Sequence, residues 1–323
     1  MYRRIFVCSV TIVVLSLLLV TGCGPGAGGA ATFALKFAPG DSADYKLIME
    51  NEDSVAFEGS IAENPRFRGG GNRTKTEMTF NRQIQSVDNN GNAVVKITVR
   101  DLKYSAVRDG NTLLDFDSAK EKDRDNPFAK LIGQSYTIEI APDGQVKRVI
   151  DTEQALAAVR GSGLANKAAS RLLTPDTIEK IHGTLVLPET GKGRLRPGQS
   201  WSNVKAFDYR MLGTGSYEKI YTVKEIKKQG DQRIAVVQMN AAPGLGGVEK
   251  MREGGAIQTF SGMVDIDTQQ TYTGWLELNL NSGKVQKYSE EMQSQWVIKK
   301  KDSEEPDAVK MGVVRSYSLE RAD

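Results

Sequence analysis

The sequence of 323 residues contains only two cysteines and one histidine, and these small counts exclude several kinds of site. A site that needs two imidazoles cannot form around His182 alone, and a Cys/His metal cluster needs more ligands than the chain has. Lys and Arg number 43 against 40 Asp and Glu, so the chain lacks the basic surplus typical of nucleic-acid-binding proteins. The composition therefore argues against a Cys/His metal cluster and against a nucleic-acid partner.

The first segment of the chain, residues 1–22, has the composition of a secretory signal peptide. Arg3 and Arg4 give it a positive start, and the uncharged apolar run that follows is short for a membrane-spanning helix. The run ends in Val20-Thr21-Gly22-Cys23, which resembles the lipobox of bacterial lipoproteins. In that family the chain is cut just before the Cys, and the Cys thiol is lipidated. The resemblance implies that Cys23 carries acyl chains such as palmitate, which hold the protein to a membrane. The alternative is an uncleaved anchor in which the Cys is incidental.

Removal of the signal changes what the cysteine count means. Cys8 leaves with the signal, and Cys23 becomes the acylated first residue of the mature chain, so no internal disulfide can form. The mature chain must then be stabilised by a buried core. Residues 23–32 are rich in Gly and Ala and predict a flexible tether, after which we expect the folded part to begin near Phe33.

Alternating apolar and polar residues dominate 33–150, the first predicted β repeat. In the segment 95–99, Val and Ile alternate with Lys and Thr, which is typical of an antiparallel strand with one buried and one solvated face. A hairpin is predicted over 136–150, because Pro142 and Gly144 suit the turn between two such strands.

Residues 151–187 interrupt this pattern and predict a helical connector of two or three short helices. One helix is expected over 164–173, and another after Thr174-Pro175, where Thr suits the cap and Pro the first helical position. The β pattern resumes in residues 188–323, the second predicted β repeat. Its strands are predicted at 217–227, 233–240, 256–267, 272–280, 284–297 and 313–320.

The two β repeats resemble each other in sequence. Pro39-Gly40 of the first copy corresponds to Pro197-Gly198 of the second, and each pair is soon followed by a Ser and an aromatic residue. The first hairpin also corresponds to the predicted hairpin around Gly283, since apolar residues alternate on both sides of a Gly-containing turn.

The chain resembles a family of exported proteins from planctomycete-type bacteria. These proteins are β-rich and internally duplicated, and their function is unknown. The similarity lies in the lipobox and in the segments LKFAPGDSADY, DNNGNAVVKITV, GQSYTIEIAPDGQVKRV and LRPGQSW. The resemblance implies a duplicated β architecture. It implies no activity, cofactor or catalytic residue.

Few residues offer catalytic chemistry. His182 is predicted at a helix end, where its side chain can bond the last carbonyl groups, and no G-x-S-x-G motif accompanies it. The acids Asp115, Asp117, Asp123 and Asp125 could gather around calcium, but a solvated charged loop is favoured. No phosphate-binding or dinucleotide fingerprint is present, so no cofactor and no metal are expected. A pair of distant catalytic carboxylates stays open, because it leaves no spacing to read.

These observations predict a mainly β fold with a minor α segment: two related antiparallel β-sheet or open-barrel domains with short helices between them. We expect a membrane-anchored lipoprotein of the cell envelope, with exported β domains, that acts as a non-enzymatic binding or accessory module. Its expected partners are the membrane, through the N-terminal lipid, and an apolar or peptide ligand on a concave sheet face. Gly24 follows the lipidated Cys, in place of the Asp that marks inner-membrane retention in some bacteria, and this favours the outer membrane.

Two alternatives remain open at this point. One is a structural or protein–protein interaction component of the envelope, and the other is a carboxylate-based hydrolase of envelope polymers. The first would expose an apolar patch or an unpaired sheet edge. The second would need two acids that face one cleft.

Overall fold

One antiparallel β-sheet, with short helices between its two halves, is the framework of the computed structural model. The structure describes residues 29–183, 185–188, 194–208, 214–243, 264–300 and 307–322. The first half consists of β1 (Ser42–Glu58), β2 (Gly70–Val87), β3 (Ala93–Arg108), β4 (Asn111–Asp117), β5 (Ser135–Ile140) and β6 (Val146–Asp151). The second half consists of β7 (Ser200–Asp208), β8 (Thr214–Gln229), β9 (Gln232–Pro243), β10 (Val264–Asn279), β11 (Lys284–Lys300) and β12 (Ala308–Arg321). The predicted mainly β fold with a minor α segment is confirmed.

Three α-helices lie where the sequence predicts the helical connector. They are α1 (Glu153–Ala158), α2 (Leu164–Leu172) and α3 (Pro175–His182). Helix α3 begins at a proline, whose missing N–H costs nothing in the first turn of a helix. Short 3-10 turns occur at Gly59–Glu63, Glu121–Asp123 and Pro127–Leu131.

The first and last strands in chain order, β1 and β12, pair with each other at the centre of the sheet. Leu47 lies opposite Leu319, and Met49 lies opposite Tyr317. The strand order is β6-β5-β3-β2-β1-β12-β11-β10-β9-β8-β7, with β4 also paired to β3. The two β repeats are therefore halves of one continuous sheet.

The sheet is strongly curved, as the N-terminal strap (residues 29–37) shows. Leu35 N donates to Pro142 O in the β5–β6 turn (2.7 Å), and Lys36 N donates to Gly283 O in the β10–β11 turn (3.3 Å). In a flat sheet, strands β5 and β11 would be about 24 Å apart, at five strand spacings of about 4.8 Å. Because two adjacent strap residues bond both turns, the sheet must bend strongly between β5 and β11.

The repeated Pro-Gly motif forms the same turn in both halves. Gly40 and Gly198 have φ values of +88° and +87°, a conformation that side chains with a Cβ rarely adopt. Gly40 N donates to Ile84 O at 2.9 Å, and Gly198 N donates to Val223 O at 2.7 Å. The sequence correspondence at this motif therefore reflects a shared backbone structure.

The helices fill the concave side of the first half, which we call the inner face of the sheet. Tyr317 OH on β12 donates to the carbonyl of Ile181 in α3 at 2.7 Å. The ring of Phe128, in a 3-10 turn, stacks on Tyr104 and Phe116 at centroid distances of 4.6 and 5.4 Å. The opposite side of the sheet, the outer face, carries the residues that alternate with these.

Candidate functional site

The predicted lipid-attachment site cannot be located in the structure. Cys23 and the lipobox residues Val20, Thr21 and Gly22 lie outside the described residues. Among the described residues, none of the helices has the length and hydrophobicity of a membrane-spanning segment. Lipidation of Cys23 therefore stays a prediction.

His182 lies at the end of α3 as predicted, but its side chain does not cap the helix. Its Nε2 atom lies 2.8 Å from the Tyr136 hydroxyl, and its ring meets Phe80 edge-on at a centroid distance of 5.1 Å. Burial, followed by the positive charge of Arg82, lowers the pKa of His182 well below its ordinary value. The cap prediction is wrong because the last turn of α3 faces the inner side of the sheet, where an imidazole is buried as a neutral group.

Two of the acidic residues considered for calcium, Asp117 and Asp123, are engaged by other groups. The Asp117 carboxylate accepts a hydrogen bond from Ala119 N at 3.0 Å and lies 3.4 Å from Lys103 Nζ. The hydrogen bond from Ala119 N is the main reason why the pKa of Asp117 is lowered. Asp123 Oδ2 accepts from Asp117 N at 3.0 Å. Across the described ranges, no three His, Cys, Asp or Glu side chains are grouped so that they could hold a metal ion.

A polar cluster lies on the inner face of the second half, centred on Glu290. Its Oε2 atom accepts hydrogen bonds from Tyr272 OH at 2.6 Å and from Tyr288 OH at 2.7 Å, and it forms an ion pair with Lys219. The Lys219 side chain is only 3% exposed and that of Glu290 16%. Tyr221 lies on the same row of the sheet as Glu290. It is opposite Met239 of β9, which is opposite Gly274 of β10, and Gly274 is opposite Glu290 of β11.

The electrostatics of this Glu290 cluster favour a fixed structural role. Burial, followed by the negative charge of Glu290, raises the pKa of both Tyr272 and Tyr288, so these phenols stay protonated and donate. Three donors converge on a single carboxylate oxygen and leave it little capacity to take a further proton or ligand. These contacts satisfy the buried charges of Lys219 and Glu290 on the inner face.

A groove of about 430 Å³ crosses the outer face of the sheet from β1 to β9, and we call it the outer groove. Its main row consists of residues that lie opposite one another on β1, β12, β11, β10 and β9, and such residues point to the same face of a sheet. In that order they are Ile48, Ser318, Ser289, Trp275 and Gln238. The volume lies in the range usual for ligand sites in proteins.

The register of the strands explains why a groove forms here. Ser318 and Ser289 place small side chains at the middle of the row, while the larger Ile48 and Trp275 flank them. A second row on the same face adds Ser316, Glu291 and Thr273. Small residues between large ones leave a trough across the strands.

The outer groove is polar and nearly uncharged. Four hydroxyl groups in the outer groove have no hydrogen-bond partner among the described residues. They belong to Ser289, Ser316, Ser318 and Thr273. The outward-facing acid of the outer groove is Glu291, whose Oε1 accepts from Gln293 Nε2. No Lys or Arg stands among its described lining residues. Four hydroxyl groups are thus available to a ligand, without a charge to select an anion.

Trp275 is the most exposed of the three tryptophans in the chain. The residue is 36% exposed, whereas Trp296 is 1% exposed and Trp201 is half-buried. The third, Trp201, stacks on Tyr221 with centroids 4.9 Å apart and donates from Nε1 to Val186 O. An exposed indole in a polar groove is a typical ligand contact, because the ring is apolar and its N–H can bond.

A second, much smaller cavity lies beside the N-terminal strap. It measures about 30 Å³ and is lined by Leu35, Tyr45 and Arg82, among others. This is room for about one or two water molecules. Of these two cavities, the larger lies on the outer face, whereas the sequence predicted ligand binding on a concave face.

Sequence reasoning did not find the outer groove. Trp275 and Ile48 are more than 200 positions apart, and they share a groove only because β1 pairs with β12. The available signal was the recurrence of Ser at outward positions of β11 and β12, where charged residues would be the commoner choice.

Comparison with known proteins adds a fold resemblance. No protein-family model matches the chain, and no curated protein matches it. Among solved structures, the chain is similar to one described as "Lipid-protein interactions in lipovitellin", with a TM-score of 0.44 and 9% sequence identity. The similarity covers 89% of this chain and 26% of that one, so the chain spans about a quarter of its length. At this level the likeness carries no argument about function.

Proposed function

We propose that this chain is a lipid-anchored, non-enzymatic binding module of a bacterial cell envelope, and that the outer groove is its ligand site. The observation that carries the proposal is the outer groove itself, with four free hydroxyl groups beside an exposed indole. A site with these groups can bind a ligand by contact and hydrogen bonding.

The chemistry of the outer groove supports binding over hydrolysis. Glycoside hydrolysis by carboxylates needs two acids on opposite sides of the scissile bond. Glu291 faces the outer groove, but its neighbour Glu290 points to the inner face, where Lys219 and two tyrosines hold it. The outer groove therefore presents a single acid from this pair of glutamates.

The anchor is supported by the order of charges, apolar run and Val20-Thr21-Gly22-Cys23 at the N-terminus. The strap begins a few residues after Cys23, so only a short segment of chain would separate the lipid from the β-sheet. Growth of the host with labelled palmitate tests this. Cys23→Ser is expected to abolish the label and release the protein from membranes, while Cys8→Ser, a change within the signal, keeps both. Label on the Cys23→Ser protein would refute the anchor.

Native mass spectrometry of the protein extracted from its own host tests the binding role. We expect a retained ligand that is released chemically unchanged and whose release increases the quenching of Trp275 fluorescence by acrylamide. A ligand recovered as cleaved fragments would instead support the hydrolase alternative. Absence of any ligand that protects Trp275 would refute the outer groove as the site.

A further inference from the structure

We propose that the outer groove binds an uncharged saccharide chain, with Trp275 as the stacking platform. The proposal rests on the binding function above and names its ligand class. It depends on three features of the outer groove: one exposed indole, four free hydroxyl groups, and a lining that contains no Lys or Arg among the described residues.

The first step of the argument concerns the indole. Trp275 lies opposite Ser289 on one side and Gln238 on the other, so its ring stands among polar neighbours. A pyranose ring has an apolar face of C–H groups and a rim of hydroxyls. That face can cover an exposed indole while the rim remains hydrogen-bonded, which matches a ring set among polar side chains.

The second step concerns the hydroxyl groups. Ser318, Ser289 and Ser316 lie on two adjacent strands, β12 and β11, and Thr273 extends the set to β10. A serine or threonine hydroxyl both donates and accepts, as does each hydroxyl of a sugar. Gln238 adds an amide with both functions at the far end of the main row. A polyhydroxylated ligand can pair with every one of these groups.

The third step argues against a peptide that binds by adding a strand to the sheet. Peptides that add to a sheet bond to the free backbone of an edge strand. The outer groove instead crosses β11 and β12, which are paired on both sides within the sheet, with Ser289 opposite both Trp275 and Ser318. No backbone ladder is available to a peptide at these strands.

The fourth step excludes anions and acyl chains. No Lys or Arg stands among the described lining residues, so a phosphate or carboxylate ligand would lie beside Glu291. Lys46 and Lys287 lie one row away on the same face, where both are opposite Glu320. An acyl chain would cover the four free hydroxyl groups and leave them without partners, which costs free energy for each group. A neutral saccharide remains as the ligand class that fits.

Acrylamide quenching of tryptophan fluorescence tests the proposal on the full-length chain in detergent. The probes are neutral oligosaccharides of glucose, N-acetylglucosamine, mannose and xylose, with oligogalacturonate as the charged control. Trp296 is buried, and Trp201 is half-buried with one ring face stacked on Tyr221, so we expect quenching to report mainly on Trp275. We expect at least one neutral oligosaccharide to protect Trp275 in a saturable way, and oligogalacturonate to leave it unprotected.

Calorimetric titration of variants locates the site. Trp275→Ala should weaken binding of that oligosaccharide by more than about tenfold. Ser318→Leu, which fills the trough, should do the same while Ser318→Thr keeps binding. The matched control is Val204→Ala, since Val204 is 66% exposed on the outer face of β7, away from the outer groove. Equal loss in the Val204→Ala protein would overturn the site.

The remaining outcomes separate this proposal from the binding function. If no neutral oligosaccharide protects Trp275, but the ligand retained from the host is a lipid or a peptide that does, the saccharide proposal is wrong and the binding module stands. If neither the oligosaccharides nor any host ligand protects Trp275, both are wrong.

Discussion

The Nε2 atom of His182 lies 2.8 Å from the hydroxyl oxygen of Tyr136, and both side chains are buried. This contact ties the end of α3 to β5 through a neutral imidazole. Its Nδ1 atom has no hydrogen-bond partner among the described residues, so a second proton would be buried without compensation.

The depressed pKa of His182 predicts a loss of stability in acid. In the unfolded chain the imidazole titrates near its ordinary pKa of about 6.5, whereas in the folded protein it stays neutral to lower pH. The unfolded state therefore binds the extra proton first, and stability present above about pH 6.5 falls as pH decreases, by up to about 1.4 kcal/mol per pH unit. Urea denaturation between about pH 7.5 and 5 measures this slope.

His182→Gln is the matched variant for this measurement. A Gln amide can still bond the Tyr136 hydroxyl but cannot titrate, so the part of the slope due to His182 should disappear. An unchanged slope in the His182→Gln protein would show that other groups cause the acid sensitivity.

The Lys219–Glu290 ion pair predicts a large cost for removing one partner. Glu290→Gln leaves the charge of Lys219 buried without its counter-ion, and breaking a buried pair in this way typically costs about 3–5 kcal/mol. The control is Glu139→Gln, which breaks the more exposed pair with Arg148 and should cost less than about 1 kcal/mol. Chemical denaturation of both variants checks the difference.

A double variant decides whether the loss comes from the buried charge. Lys219→Met combined with Glu290→Gln removes both charges and should recover much of the stability lost by Glu290→Gln alone. If the double variant is as unstable as the sum of the two single variants, the ion pair is not the cause.

Local patterns in the sequence were sufficient for the elements that depend on neighbouring residues. The alternation over 95–99 predicted a strand, and Val95, Ile97 and Val99 are buried as expected. The β5–β6 hairpin has Gly144 with φ +89° in its turn. Pro175 begins α3 because a Pro suits only the first turn of a helix.

Features that depend on long-range register were not predictable from the sequence. Strands expected separately at 256–267 and 272–280 form a single strand, β10, over its described residues from Val264. The polar residues between them hid the continuity, yet Thr268 and Gln270 pair with Trp296 and Ser294 of β11. Residues 256–263 of the first predicted strand lie outside the described residues. The outer groove likewise exists only once β1 has paired with β12.

We expect substitution of Gly144 to lower the free energy of unfolding more than substitution of Gly40, which has the same backbone conformation. The φ of Gly144 is +89°, and a Cβ there would lie 2.6 Å from Leu185 O. Gly40 has φ +88° with nothing within 4 Å of the corresponding position. Gly40→Ala should therefore cost about 1–2 kcal/mol from backbone strain alone, and Gly144→Ala should cost clearly more. Thermal or urea denaturation of the two variants gives the comparison, and equal losses would show that the approach of Leu185 has no energetic effect.

The N-terminal strap predicts that residues near the tether stabilise the whole sheet. Phe33 and Leu35 are buried, and the backbone of Leu35 and Lys36 bonds the turns of both halves. Burial of two such side chains contributes about 3–6 kcal/mol. We expect Phe33→Ala with Leu35→Ala to lower the free energy of unfolding by several kcal/mol.

Truncation separates the strap from the tether. A chain that begins at Gly29 keeps the strap and its bonds, including the pairing of Ala31 with Leu195, so it should be as stable as the mature chain. A chain that begins at Ala38 loses the contacts of the strap to both turns, and we expect it to unfold at lower urea concentration. Because the strap joins the β5–β6 turn to the β10–β11 turn, its loss should also increase hydrogen exchange in both hairpins. Faster exchange in one hairpin alone would show that the strap does not couple the two halves.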